Sequence, residues 1–219
     1  GNTSYLKRMR RQRPVILLTG FGPFPGVPEN ASAELVRALG KAAPKHFPEF
    51  RVWTAILPTE WRAGPAKAGE LIASIKPTIA LHFGVSRQAS GFTIETRGVN
   101  FALPAADAAG LPPVSEQLEP EGPEALHSTF PAELIIERLR LKSLPAELSE
   151  DAGGYLCNAV LYHSLYRARQ ANWPIRCGFV HLPAALSRTP APDYTETTLD
   201  WEQAVAGGLE IIAATIDEA

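Results

Sequence analysis

The chain is poor in sulfur: of its 219 residues only Cys157 and Cys177 are cysteines and one is a methionine. Two thiols cannot knit a disulfide scaffold, and neither belongs to a CxxC pair or to any spacing typical of zinc sites. His46, His82, His127, His163 and His181 show no mutual metal-ligand spacing either, so no metal site is expected. Free thiols suit a reducing compartment, with the cytoplasm as the default. Long apolar runs are also missing. Val15-Ile-Leu-Leu18 and Pro77-Thr-Ile-Ala-Leu81 are far shorter than the roughly 20 residues a membrane helix needs, and no signal-peptide pattern is present. Neither charge sign dominates: 21 basic residues face 23 acidic ones, a net charge of −2. That balance gives no electrostatic reason to expect a nucleic acid or an anionic membrane as partner. The basic cluster Lys7, Arg8, Arg10, Arg11 and Arg13 reads as a solvated tail over residues 1–13. Repeats and low-complexity linkers are absent, which leaves residues 14–219 as one domain with room for a substantial core.

What is present alternates between strand and helix patterns. Pro14 to Gly20 is a continuous apolar run closed by glycine, as in a strand buried on both faces of a parallel sheet. Ser32 is placed to cap a helix through Leu39, with Gly40 as its stop signal. Arg51 to Leu57 predicts a second strand, Glu60 to Ile75 a second helix and Thr78 to Phe83 a third strand, the rhythm of an α/β sheet with helices on both faces. Gly91 to Val99 switches to period two. Leu103 to Glu124 is rich in Pro, Ala and Gly and predicts a long mobile loop or flap. Further helices are expected over Pro131–Leu141, Tyr155–Arg169 and Thr198–Ile216, with a strand over Ile175–Leu182.

Candidate chemistry centres on Cys157, in Asp151-Ala-Gly-Gly-Tyr-Leu-Cys157-Asn158, where a glycine turn runs into a helix pattern. Unpaired N–H groups in a first helical turn and the positive end of the helix dipole favour thiolate over thiol. The same N–H groups can serve as an oxyanion hole, while the alternative is a small buried hydrophobe. Cys177, in mid-strand, reads as core. His181, ending Ile175-Arg-Cys-Gly-Phe-Val-His181, is either a base for Cys157 or a core histidine bonded to backbone. His163, six residues past the cysteine, falls on a different side of the same helix. Glu95 stays open between a solvated charge and the carboxylate that orients the base. Phe21 and Phe24 sit in Thr19-Gly-Phe-Gly-Pro-Phe-Pro-Gly26. This stretch lacks a P-loop lysine, and prolines break a dinucleotide-binding GxGxxG spacing; two rings on a rigid loop suit a flat apolar or amide ligand or plain packing.

Taken together, Leu17-Leu-Thr-Gly-Phe-Gly-Pro-Phe24, Asn30-Ala-Ser32, Thr93-Ile-Glu95 with Asn100, Ala152-Gly-Gly-Tyr-Leu-Cys157-Asn158 and Gly178-Phe-Val-His181-Leu-Pro183 resemble the pyroglutamyl peptidase I family, in order over about residues 14 to 216. The resemblance implies a three-layer α/β/α sandwich with a mostly parallel, mixed central sheet, usually assembled as a homo-oligomer. It implies a Cys-His-Glu triad of Cys157, His181 and Glu95, with Phe21 and Phe24 packing a pyroglutamyl lactam and Asn30 shaping that pocket. The implied reaction removes an N-terminal pyroglutamyl residue from a peptide through a thioester, with no metal or organic cofactor. Some positions depart from the family pattern. Ala31 stands for a proline and Val85 for a glutamine, and Phe101–Asp107 lacks an arginine that Arg87 or Arg97 would have to replace. The same thiol chemistry on another blocked or cyclic N-terminal residue, or a peptide-binding homologue without activity, are therefore the competing readings.

Overall fold

A computed structural model describes residues 3–4 and 12–218. Lys7, Arg8, Arg10 and Arg11 of the basic run lie outside the described residues; Arg13 lies inside and donates to the Pro48 carbonyl at 3.0 Å. Six strands form one sheet in the order β2 (Arg51–Leu57), β1 (Val15–Phe21), β3 (Ile79–Ser86), β8 (Arg176–Pro183), β4 (Phe92–Glu95) and β7 (Ala146–Ser149). Every neighbouring pair is parallel except β4 with β8, so the sheet is mixed and mostly parallel. β5 (Arg97–Val99) and β6 (Ala125–His127) make a separate antiparallel pair.

Period-two alternation sends successive strand residues to opposite sides and builds two cores. Ile16, Leu18, Phe83, Val180 and Leu182 face α1 (Ala31–His46), α3 (Ala132–Leu141) and α5 (Trp201–Asp217). Leu17, Ala80, Cys177 and Phe179 face α2 (Ala63–Ile75) and α4 (Leu156–Gln170). The result is the expected helix–sheet–helix layering.

The structure corrects three local expectations. Helix α1 is capped by Asn30, whose Oδ1 accepts from the Ser32 N–H, not by Ser32 itself. It also passes through Gly40 to His46. Gly40 is not a stop: a Cβ there would lie 2.8 Å from Thr54 Cγ2, so glycine allows the helix to approach β2 closely. The period-two stretch splits at Thr96 into β4 and β5, which belong to different sheets.

The loop read as a mobile flap is tied down by hydrogen bonds. Asn100 Nδ2 donates to the Glu119 carbonyl at 2.7 Å while its Oδ1 accepts from the Glu119 N–H at 2.9 Å. Leu103 N–H donates to the Gly154 carbonyl, and Trp61 Nε1 and the Tyr155 hydroxyl donate to the carbonyls of Ala105 and Ala106. A loop so bonded is a fixed wall beside the turn that leads into α4. The short strands β6 and β7 were not legible in advance, being three and four residues long and set by pairing.

Candidate active site

Cys157 is the second residue of α4, behind Tyr155, an N-cap residue whose side chain makes no capping bond. The first-turn N–H groups therefore keep no side-chain acceptor. His181 lies near the carboxyl end of β8 and Glu95 at the end of β4. In the antiparallel register Thr93 faces His181 and Glu95 faces Phe179, so Glu95 and His181 are diagonal neighbours on one face of the sheet. A long carboxylate side chain spans that diagonal: His181 Nδ1 lies 2.9 Å from Glu95 Oε1, with both residues buried.

The thiol reaches the same face because of an absence. Gly84 of β3 is the register partner of His181, and a Cβ on it would meet Cys157 Sγ at 2.6 Å and Phe179 Cζ at 2.7 Å. Cys157 is half-buried, whereas Cys177 is fully buried and its thiol is pushed up to about 12 by loss of solvent. Cys177 is thus the core residue expected. Burial on its own would lower the His181 pKa. The charge and hydrogen bonding of Cys157, then the bond and charge of Glu95, outweigh that and push it up to about 10. An imidazole so placed holds its proton at neutral pH, hydrogen-bonded to the Glu95 carboxylate on the cleft that Cys157 also lines. His163 turns away to Glu119, 3.1 Å distant.

These three side chains open on a cleft of about 380 Å³. It lies at the carboxyl ends of β1, β3 and β8, where α/β sheets place ligands. Phe21, almost fully buried against Phe179, and the more exposed Phe24 also border it, with Tyr155 between Phe24 (ring centroids 5.6 Å) and Trp61 (5.4 Å, edge to face). Asn30 also lines it, but its polar atoms hold the loop: Oδ1 accepts from Ser32 N–H and Oγ, and Nδ2 donates to the Gly22 carbonyl at 3.0 Å. All six candidate residues therefore border one cleft. Of the two arginines considered as substitutes, Arg87 lines its rim, while Arg97 donates its Nε to the Glu150 carbonyl.

Sequence reasoning passed over several positions. Thr59 lines the cleft and bonds Gly22. Gly84 makes room for the thiol. Asn158, fully buried, exchanges two hydrogen bonds with the Val99 backbone and donates a third to the Phe101 carbonyl, fastening the start of α4 to the loop. The Cys157-Asn158 dipeptide stands out in the sequence, but the partner of its asparagine is 59 residues away and invisible to spacing.

A mixed sheet between two helical layers, with a thiol at a helix start on the same cleft as a histidine–carboxylate pair, is an α/β fold carrying the residue types of thiol hydrolysis. Residues 14–218 match the pyroglutamyl peptidase family. Similar proteins include the pyrrolidone-carboxylate peptidases of Halalkalibacterium halodurans, 34% identical with 78% of this chain and 84% of the relative covered, and of Mycobacterium marinum, 31% identical with 92% and 91% covered. Among solved structures, the pyrrolidone carboxyl peptidase of Thermococcus litoralis superposes with a TM-score of 0.82 at 25% identity, covering 93% of this chain and 94% of that one. A mutant pyrrolidone carboxyl peptidase of Pyrococcus furiosus gives 0.83 at 26%, covering 93% and 99%. The chain belongs to the pyroglutamyl peptidase family and is a peptidase hydrolase.

Proposed function

We propose that this protein is a cysteine exopeptidase that removes the N-terminal pyroglutamyl residue from peptides, with Cys157 as nucleophile, His181 as general acid and base, and Glu95 as the carboxylate that orients and charges the imidazole. The observation that carries this reading is that Cys157 and the hydrogen-bonded His181–Glu95 pair line one cleft together with Phe21 and Phe24.

Cys157 sulfur attacks the pyroglutamyl carbonyl carbon, and the oxyanion forms against the uncapped N–H groups of α4. The carbon–nitrogen bond breaks as His181 gives its proton to the departing amine. Water, deprotonated by His181, then hydrolyses the thioester and returns the thiol. The lactam lies between Phe21 and Phe24, where an uncharged ring loses little on leaving water. No described helix is long and apolar enough to cross a membrane. A free reactive thiol fits the cytoplasm, and the family resemblance supports a homo-oligomer.

The test is hydrolysis of a chromogenic pyroglutamyl anilide by the wild type, by Cys157→Ala and after thiol alkylation. Loss of turnover in a folded Cys157→Ala variant is expected. Full activity in that variant would remove the assignment.

A further inference from the structure

The cleft continues past His181 toward one edge of the sheet. The strands there lie in the order β3, β8, β4 and β7, and their register sets Gly84, His181, Thr93 and Glu147 in one row. Register partners carry their side chains on the same face. Glu147 therefore shares the face of His181, while Ala146 beside it packs against the opposite core. Two strand spacings of about 4.8 Å put the Glu147 Cα about 10 Å from that of His181. Glu147 is exposed on the edge strand, and both it and Asp151, two residues past the end of β7, line the cleft. Neither carboxylate has an ion-pair partner among the described residues. The cationic groups of the cleft are engaged elsewhere: His181 with Glu95 at 2.9 Å, and Arg87, lying against Gly26 in the loop after β1, with Asp193 at 3.8 Å. A second observation is independent of these charges. Glu95 lines the same cleft and is 1% exposed, and its Oε2 has no hydrogen-bond partner among the described residues. An oxygen kept from water and without a donor leaves poorly screened negative charge at this wall, which a cationic ligand offsets.

We propose, resting on the hydrolase reading above, that the β4–β7 side of this cleft receives the leaving peptide and selects a basic residue directly after the pyroglutamyl group, with Glu147 and Asp151 holding its cationic side chain. The direction follows from the strand order. Cys157 Sγ comes up against Gly84 on β3, and His181 on the next strand gives its proton to the departing nitrogen. The acyl group then lies on the β3 side and the leaving amine on the β8 side, and the next positions across the sheet are Thr93 and Glu147. The apolar stem of an arginine or lysine can cross Thr93 and carry its charge to the edge. Arginine fits best, because its fork can engage both carboxylates. Each exposed pair contributes little, so two together set a preference of about 3–10-fold. An acidic residue at the same position meets like charge and is disfavoured.

The experiment compares kcat/KM for pyroglutamyl-arginyl-alanine amide and its citrulline and glutamyl counterparts, with the released α-amine read by fluorescamine, in the wild type, in the double variant Glu147→Gln/Asp151→Asn and in Cys157→Ala. Citrulline keeps the length and shape of arginine without its charge, so the arginine-to-citrulline ratio isolates the electrostatic effect. Expected in the wild type at low salt are a ratio of about 3–10 and a glutamyl value below that of citrulline. The ratio should shrink toward one at about 1 M NaCl, where the Debye length is about 3 Å, and should be near one in the double variant at any salt. Structural damage from the two substitutions would lower all three substrates together and leave the ratio where it was. Equal values for arginine and citrulline at low salt, or a ratio that the double variant leaves unchanged, would overturn the proposal while the hydrolase assignment stands. Absence of turnover for all three amides, or turnover retained in Cys157→Ala, would instead remove the assignment on which it rests.

Discussion

Replacing Gly84 with alanine adds one methyl group at the point where the Cys157 thiol, Phe179 and the sheet position paired with His181 crowd together. The new Cβ would lie 2.6 Å from Cys157 Sγ and 2.7 Å from Phe179 Cζ, both closer than carbon can approach without displacement. Phe179 cannot give way freely, since its ring is wedged beside His181 at 4.8 Å and against Phe21 at 6.3 Å. The thiol, at the uncapped start of α4, is the softer neighbour and should move by about 1 Å to regain ordinary contact. A misplacement of that size costs about 10²-fold in rate. Overpacking costs about 1–3 kcal/mol of stability, lowering Tm by roughly 2–4 °C for each kcal/mol in a chain of this length. The assay is kcat on a pyroglutamyl anilide at 25 °C, with the melt followed by circular dichroism and thiol content checked after unfolding. A folded Gly84→Ala enzyme with kcat within twofold of wild type would refute the claim that this glycine makes room for the nucleophile.

Glu95→Gln removes the charge that helps hold the His181 proton, so kcat at neutral pH should fall by about 10²–10⁴. The alkaline limb of the pH–rate profile should shift to lower pH; an unshifted limb would mean that Glu95 does not act on the imidazole. His82, buried between Thr19 Oγ1 (2.6 Å) and Ser164 Oγ (3.0 Å), is lowered by burial from 6.5 to about 4. Because its folded value lies below its unfolded one, its contribution is complete above pH 6.5 and is lost as pH falls toward 4. The total is roughly 3 kcal/mol at 1.36 kcal/mol per pH unit. His181, raised to about 10, acts with the opposite sign: its contribution is complete below pH 6.5 and is lost as pH rises through 10. Urea melts from pH 4 to 10 should therefore fall on both sides, and His82→Gln should flatten only the acid side. In iodoacetamide labelling of the native enzyme near neutral pH, Cys157 should react and Cys177 should not; equal rates would deny Cys157 its activated environment.

The sequence already carried the rhythm of the fold, because burial on both faces leaves continuous apolar runs such as Val15–Leu18 and helices leave period-3.6 faces between them. It also carried the chemical types: a cysteine after a glycine turn, a histidine ending a strand, a phenylalanine pair on a proline-stiffened loop. Family resemblance supplied the pairing of roles, and for Glu95 nothing else did, since spacing left that residue open between solvated charge and functional acid. Its burial and its 2.9 Å approach to His181 come from antiparallel pairing between strands 86 residues apart.

The misread positions share one cause. Gly40 looks like a helix stop, yet it is kept small by β2. Gly84 carries no local signal, yet its partner across the sheet is His181. The 103–124 segment lacks periodicity and so read as mobile, whereas its order is fixed by side chains from α4 and from Trp61. Local patterns record which residues face water or core, because that depends on the period of the backbone alone. Which sulfur meets which imidazole, and which hydrogen-bond donors remain free for a ligand, depends on strand register and helix placement, and those exist only once the sheet has closed.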